Sequence, residues 1–209
     1  MGIVTDGTYL YFGDLNLMRK LDLATGMVST VLGQLGVNNG SGNLDGNFKD
    51  AFVVTLIQSI AMDGTNLYML TGTMNHTLRK VDLAAQTVST LELFYADGTI
   101  NPGIANIDNN HLLSNIHIAN PKFKPFDVGY GLAFSRAMVM DGTYLYIAAL
   151  ASNQVFRIRV DGSDNGIPMP LTATTGPSHV DGPGNQSGFH YPTGICTDGK
   201  YLYVVNFLN

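Results

Sequence analysis

The sequence predicts an all-β fold, a β-propeller built from four-stranded antiparallel blades. Three observations predict it. An Asp-Gly-x-x-Leu-Tyr segment occurs four times, as Asp6-Gly7-Thr8-Tyr9-Leu10-Tyr11, Asp63-Gly64-Thr65-Asn66-Leu67-Tyr68, Asp141-Gly142-Thr143-Tyr144-Leu145-Tyr146 and Asp198-Gly199-Lys200-Tyr201-Leu202-Tyr203. The spacings between these aspartates are 57, 78 and 57 residues. No segment carries the apolar periodicity of a helix. Strands in fours at a fixed period mark a propeller.

Each unit resolves into four strands. The first strands cover 2–5, 59–62, 137–140 and 193–197. The Asp-Gly pair that follows predicts a tight hairpin, on the expectation that both residues tolerate a positive φ. The Leu-Tyr segment is the second strand. The third is Arg19-Lys20-Leu21-Asp22-Leu23-Ala24, matched by Arg79-Lys80-Val81-Asp82-Leu83-Ala84 and, more loosely, by Arg157-Ile158-Arg159-Val160-Asp161-Gly162. A turn such as Ala24-Thr25-Gly26 leads to the fourth strand, Met27-Val28-Ser29-Thr30-Val31-Leu32 or Thr87-Val88-Ser89-Thr90-Leu91-Glu92. In the third unit this strand is Ile167-Pro168-Met169-Pro170-Leu171. Proline cannot donate to a ladder, so that strand is expected to be short or to lie at an edge.

The units span about 2–33, 59–92, 137–172 and 193–209, with a long insertion at 93–136. The whole chain, 1–209, reads as a single propeller segment. It holds three complete units plus two strands of a fourth. The smallest common closed propeller has about four blades. The expectation is therefore a fragment of a longer propeller, with association of copies through exposed strand edges as the alternative.

Composition narrows the function classes. Hydrophobic residues make up 45% of the chain and charged residues 13%, so it is not a disordered polyelectrolyte. Net charge is −5, and the only compact basic spot is Lys122-Phe123-Lys124, which argues against nucleic acid. No apolar stretch is long enough for a membrane-spanning helix. The single cysteine, Cys196, cannot form an internal disulfide and is expected to be a buried strand residue. No secretory signal is present in this chain. The low charge and abundant Thr, Gly and Asn suggest an extracellular or bacterial cell-envelope setting.

The repeat resembles the NHL-repeat family of β-propellers. Asn75-His76-Thr77-Leu78-Arg79-Lys80 comes near the Asn-His-Leu motif. Asp181-Gly182-Pro183-Gly184, followed by Phe189-His190-Tyr191-Pro192-Thr193-Gly194-Ile195, looks like the family's link between blades. Other copies depart from it: Asn16-Leu17-Met18-Arg19 and Asn153-Gln154-Val155-Phe156-Arg157 keep only the Asn and Arg. The resemblance implies a fold; a propeller scaffold serves many uses.

Function is expected on the face that carries the links at 33–58, 93–136 and 172–192, which differ from unit to unit. The candidate ligand or partner residues all lie in the longest link: Asn110, His111, His117, Lys122, Phe123, Lys124, Phe126 and Tyr130. Weak metal candidates are His111, His117, His179, Asp181 and His190, whose spacings match no strong motif. Asp161-Gly162-Ser163-Asp164-Asn165-Gly166 has a faint calcium-loop look but reads as a β-turn. Arg19, Arg79 and Arg157 are expected to support blade packing or pair with carboxylates. No catalytic residue, cofactor or metal is assigned. The reading is a non-catalytic binding or assembly module for a protein, a glycan or a small ligand. The alternatives are a propeller lyase or lactonase with a metal over the channel, and a structural subunit that polymerises, giving a homo-oligomer.

Overall fold

The computed structural model describes residues 2–33, 44–51, 53, 56–72, 77–91, 137–161, 163, 168–172 and 177–208. Among these residues the regular structure is entirely strand. The first blade is β1 (Ile3–Thr5), β2 (Tyr9–Asp14), β3 (Leu17–Asp22) and β4 (Val28–Leu32), each antiparallel to the next. A short strand, β5 (Gly46–Asn47), precedes the second blade: β6 (Ile57–Met62), β7 (Asn66–Thr71), β8 (Thr77–Asp82) and β9 (Thr87–Thr90). The third blade is β10 (Ala137–Met140), β11 (Tyr144–Ala149), β12 (Gln154–Arg159) and β13 (Met169–Pro170). The fourth has two strands, β14 (Pro192–Thr197) and β15 (Leu202–Asn206). The fold is thus three complete blades and two strands of a fourth. As the prolines dictate, β13 is two residues long and lies at the sheet edge. Among the described residues the one strand outside the repeat pattern is β5, which pairs with β9 and makes the second sheet five-stranded.

The innermost strands of successive blades lie side by side. The buried Met138 N–H of β10 donates to Ser59 Oγ of β6 at 3.0 Å, a direct bond between blades. Beside β1, a Cβ on Gly2 would fall 2.5 Å from the backbone nitrogen of Ile60, so only glycine fits there. Between blades the packing follows the strand period of two. On β7, Leu67 and Met69 point to the first blade and join Tyr11, Met18, Ile57, Ile60 and Val81 in one buried cluster. Tyr68 and Leu70 point the other way and join Leu78, Leu145, Ile147, Phe156 and Ile158 in a second. The seams between the first and second and between the second and third blades are therefore separate apolar cores, and the Leu-Tyr segment of the second blade feeds both.

The Asp-Gly hairpins work differently from the expectation. Only the glycines have positive φ: Gly7 at 88°, Gly64 at 99°, Gly142 at 94° and Gly199 at 89°. The aspartate acts through its carboxylate. In the second blade, Asp63 Oδ1 accepts the N–H of Thr65 (2.9 Å) and of Asn66 (2.7 Å), while Oδ2 accepts Tyr68 O–H at 2.8 Å. The same bracket joins Asp6 to Tyr11 (3.0 Å), Asp141 to Tyr146 (2.7 Å) and Asp198 to Tyr203 (2.8 Å). The backbone ladder closes under it, with Asp63 N–H donating to Asn66 O at 3.1 Å.

Two further expectations are corrected. Arg157 is not the counterpart of Arg19 and Arg79. Those two lie opposite Phe12 and Met69, whereas Arg157 lies opposite Tyr146, as Lys20 lies opposite Tyr11 and Lys80 opposite Tyr68. Phe156 holds the arginine position instead. The alternation of Phe156 and Ile158 into the core sets this register and turns Arg157 and Arg159 outward. Cys196 is exposed, because it lies on the uncovered side of the fourth blade. The remaining arginines behave as expected: Arg19 pairs with Asp14 at 3.2 Å, and the fully buried Arg79 pairs with Asp45 at 2.7 Å.

The brackets also shift titrations. Burial works against the charge on Asp63, but donors from Asn66, Thr65 and Tyr68 outweigh it and hold the carboxyl well below its ordinary 3.8. Asp6 is lowered chiefly by the Tyr9 amide, and Asp198 chiefly by the Tyr201 amide. Burial and then the aspartate partner push Tyr11 and Tyr146 up to about 12.

Three outcomes follow for equilibrium urea unfolding. Asp63→Ala removes the bracket and leaves the Tyr68 hydroxyl without its acceptor, lowering stability by about 2–3 kcal/mol; Asp198→Ala at the uncovered fourth blade lowers it less. Ser59→Ala orphans the buried Met138 N–H and costs about 1–3 kcal/mol. Stability holds through neutral pH and falls on both sides. In acid it drops as pH falls below 3.8, where unfolded aspartates take up protons that the folded ones refuse. In alkali it drops as pH rises from 10 toward about 12, where unfolded tyrosines lose protons that Tyr11 and Tyr146 keep. A Tyr11→Phe/Tyr146→Phe variant flattens the alkaline limb.

Candidate functional site

The blades present two faces. One carries the short hairpins between first and second strands and the turns between third and fourth. Those turns are built on aspartate as well: Asp22 Oδ1 accepts the N–H groups of Ala24 and Thr25, both at 2.9 Å, and Asp82 Oδ1 accepts that of Ala85 at 2.8 Å. The other face carries the turns between second and third strands and, among the described residues, the last link over 177–191.

On the short-turn face, a groove of about 310 Å³ opens between the second and third blades. One wall is the bracketed hairpin, with Asp63, Asn66 and Tyr68, and Lys80 of β8 beside it. The opposite wall is Gly142 and Thr143 of the next hairpin together with Arg159, Val160 and Asp161. The acids here are already engaged. Asp63 also accepts Thr65 O–H at 2.9 Å and an Asn66 Nδ2 hydrogen at 3.0 Å. Asp161 receives Arg159 through two bonds, Nη2 to Oδ2 at 2.6 Å and Nε to Oδ1 at 3.2 Å. That fork, with the Ser163 amide, holds the Asp161 carboxyl well below its usual range. The Arg159 guanidinium lies 5.5 Å from the Tyr144 ring centroid and that of Arg157 4.9 Å. Lys80 supplies a cation with no ion-pair partner among the described residues. The groove can therefore receive a small polar group against Lys80 but has no carboxylate free of structural hydrogen bonds. Of the groove's residues only Asp161 carries a functional hint in the sequence, as part of the faint calcium loop read as a turn; the Arg159-x-Asp161 spacing on a strand end was the further signal.

Of the candidates named from the sequence, the structure brings two together. His179 and His190 have ring centroids 5.3 Å apart, and Tyr191 stacks at 4.9 Å from His190. Tyr191 has a positive φ of 52°, and its N–H donates to Asn153 Oδ1 at 2.9 Å, which ties the last link to the third blade. Asp181 is exposed in the same link. Among the described residues no three His, Cys, Asp or Glu side chains converge as metal ligands would. Asn110, His111, His117, Lys122, Phe123, Lys124, Phe126 and Tyr130 lie outside the described residues, as does most of the turn after Asp161.

No protein-family profile matches the chain. No curated protein sequence matches it either. Solved structures do. A chain of a nidogen/laminin complex aligns at 13% identity with a TM-score of 0.54, over 99% of this chain and 72% of that one. An auxiliary nutrient binding protein from Bacteroides thetaiotaomicron aligns at 14% identity with a TM-score of 0.50, over 98% of this chain and 35% of that one. The chain thus spans about a third of the nutrient binding protein's length. At such identities the likeness is one of fold, and with the blades described above it gives this chain a β-propeller fold.

Proposed function

We propose that this chain is a non-catalytic binding module, an NHL-like propeller segment that presents its variable links to a protein, a glycan or a small ligand. One observation carries the reading. The hairpins of all four blades are the same Asp–Tyr bracket, so they do not distinguish one blade from the next. Selectivity then falls to the segments that differ, the links at 33–58, 93–136 and 172–192. The low charge fits an extracellular or cell-envelope protein and recognition that does not depend on a polyanion.

The test is a thermal-shift and glycan-array screen of the purified chain against mono- and oligosaccharides. The expected result is saturable binding that Lys122→Ala and Phe126→Ala weaken at least tenfold, with no change in Tm, since about 1.4 kcal/mol of lost contact is a factor of ten. Binding untouched by either substitution overturns the assignment to the 93–136 link. A stoichiometric metal in the purified protein that is lost in His111→Ala or His117→Ala, with turnover of a lactone, replaces the binding module with a propeller hydrolase.

A further inference from the structure

One position of the repeat changes chemistry in the second blade alone. The residue before the Leu-Tyr pair is Tyr9, Tyr144 and Tyr201 in three copies and Asn66 in the other. In the first blade the Lys20 ammonium lies 4.1 Å from the centroid of the Tyr9 ring, and in the third the Arg157 guanidinium lies 4.9 Å from that of Tyr144. The register makes Lys80 the counterpart of both cations, since all three lie opposite the bracketed tyrosine of the strand before. Among the described residues Lys80 has no such ring and no ion-pair partner. Nor does Asn66 reach for it. The Asn66 Nδ2 donates to Asp63 Oδ2 and to Thr65 Oγ1, both at 3.0 Å, which folds the side chain back onto its own hairpin.

The missing ring leaves space. Tyr9 packs against the apolar cluster of the first seam. At the same place in the second seam lies the groove of about 310 Å³, with Asn66 and Lys80 in its lining. That volume is at the lower end of small-molecule sites. The facing wall is bare at Gly142, where a Cβ would meet nothing within 4 Å. Charge decides which class of group fits. Asp63 and Asp161 line the groove along with Lys80 and Arg159, so the negative charges offset the positive ones and a free anion meets no net attraction. An uncharged aromatic ring meets no repulsion from the carboxylates and needs only a cation over its face.

We propose that this groove binds a phenolic ring from outside the chain, seated where the other blades carry their own tyrosine, with the Lys80 ammonium over its face. The ring supplies the cation–π contact that Asn66 cannot make. Two sources carry this chemistry, a free phenol and a tyrosyl side chain on another polypeptide. The site lies on the short-turn face and uses none of the links, so it stands or falls apart from the reading above.

An NMR titration of the isotope-labelled 209-residue chain with phenol tests it. The expected result is saturable shifts of the Asn66, Gly142 and Thr143 amides. Cyclohexanol, of similar size but without a π face, binds several-fold more weakly. Asn66→Tyr restores the ring of the other blades, fills the groove and abolishes the shifts. Lys80→Met keeps the length of the side chain, removes its charge and weakens binding several-fold. N-acetyltyrosinamide binding more tightly than phenol identifies a polypeptide as the source of the ring, and the reverse a free phenol. Phenol that shifts none of these amides saturably overturns the proposal. So does cyclohexanol binding as tightly as phenol, which reduces the groove to a void that any apolar molecule fills. An unchanged phenol titration in Asn66→Tyr overturns it as well. The wild-type comparison of phenol with cyclohexanol needs no variant to fold, so its result stands even where a substitution unfolds the blade.

Discussion

Each blade is held at one corner by an aspartate whose two oxygens have separate partners. One oxygen takes the amides of the hairpin, and the other takes the hydroxyl of a tyrosine on the strand that leaves it. In the first and second blades the tyrosine ring, fixed by its own tip, is then the wedge that fills the seam to the next blade. Local turn geometry and long-range packing are coupled through a single carboxylate, and the rest of the array depends on it. Without the bracket, a hairpin glycine at φ near 90° would be one floppy joint among many. With it, the rings of Tyr11 and Tyr68 are pinned at both the hydroxyl and the strand within their seams. The carboxylates most displaced from their ordinary titration are consumed by this duty or by the arginine fork at Asp161, which removes them from chemistry.

How much was legible follows from where the constraint lies. The four blades could be read because the bracket needs the same residues at the same spacing each time, and the aspartate, glycine, leucine and tyrosine all recur. The strand ends at Thr5, Met62, Met140 and Thr197 fall where the pattern puts them. The two-residue β13 could be read because a proline's missing N–H is a local fact. The register of the third blade could not be. A string match aligns Arg157 with Arg79, but the ladder is set by which side chains enter the seam, and Phe156 and Ile158 settle that. Nor could the exposure of Cys196 be read, because burial of an end blade depends on what stands beside it. β5 and the Asp45–Arg79 pair join segments more than thirty residues apart, with no motif to announce them. The groove beside Lys80 forms between two blades, so no single repeat contains it.

The division of labour between the faces follows from the same economy. A hairpin whose donors and acceptors are all satisfied internally offers little to a ligand, and all four hairpins are alike. The links are under no such constraint. They vary in length and composition, and the last of them is anchored by Asn153 to the blade before it.

The short strand β5 has a consequence of another kind. A blade's outermost strand ordinarily offers a bare ladder of amides and carbonyls to any passing chain. In the second blade that ladder is occupied by the protein's own returning link, clamped by Asp45 to Arg79 and to both the amide and hydroxyl of Thr90. The link works as a built-in guard against amyloid-like strand addition at the middle of the array.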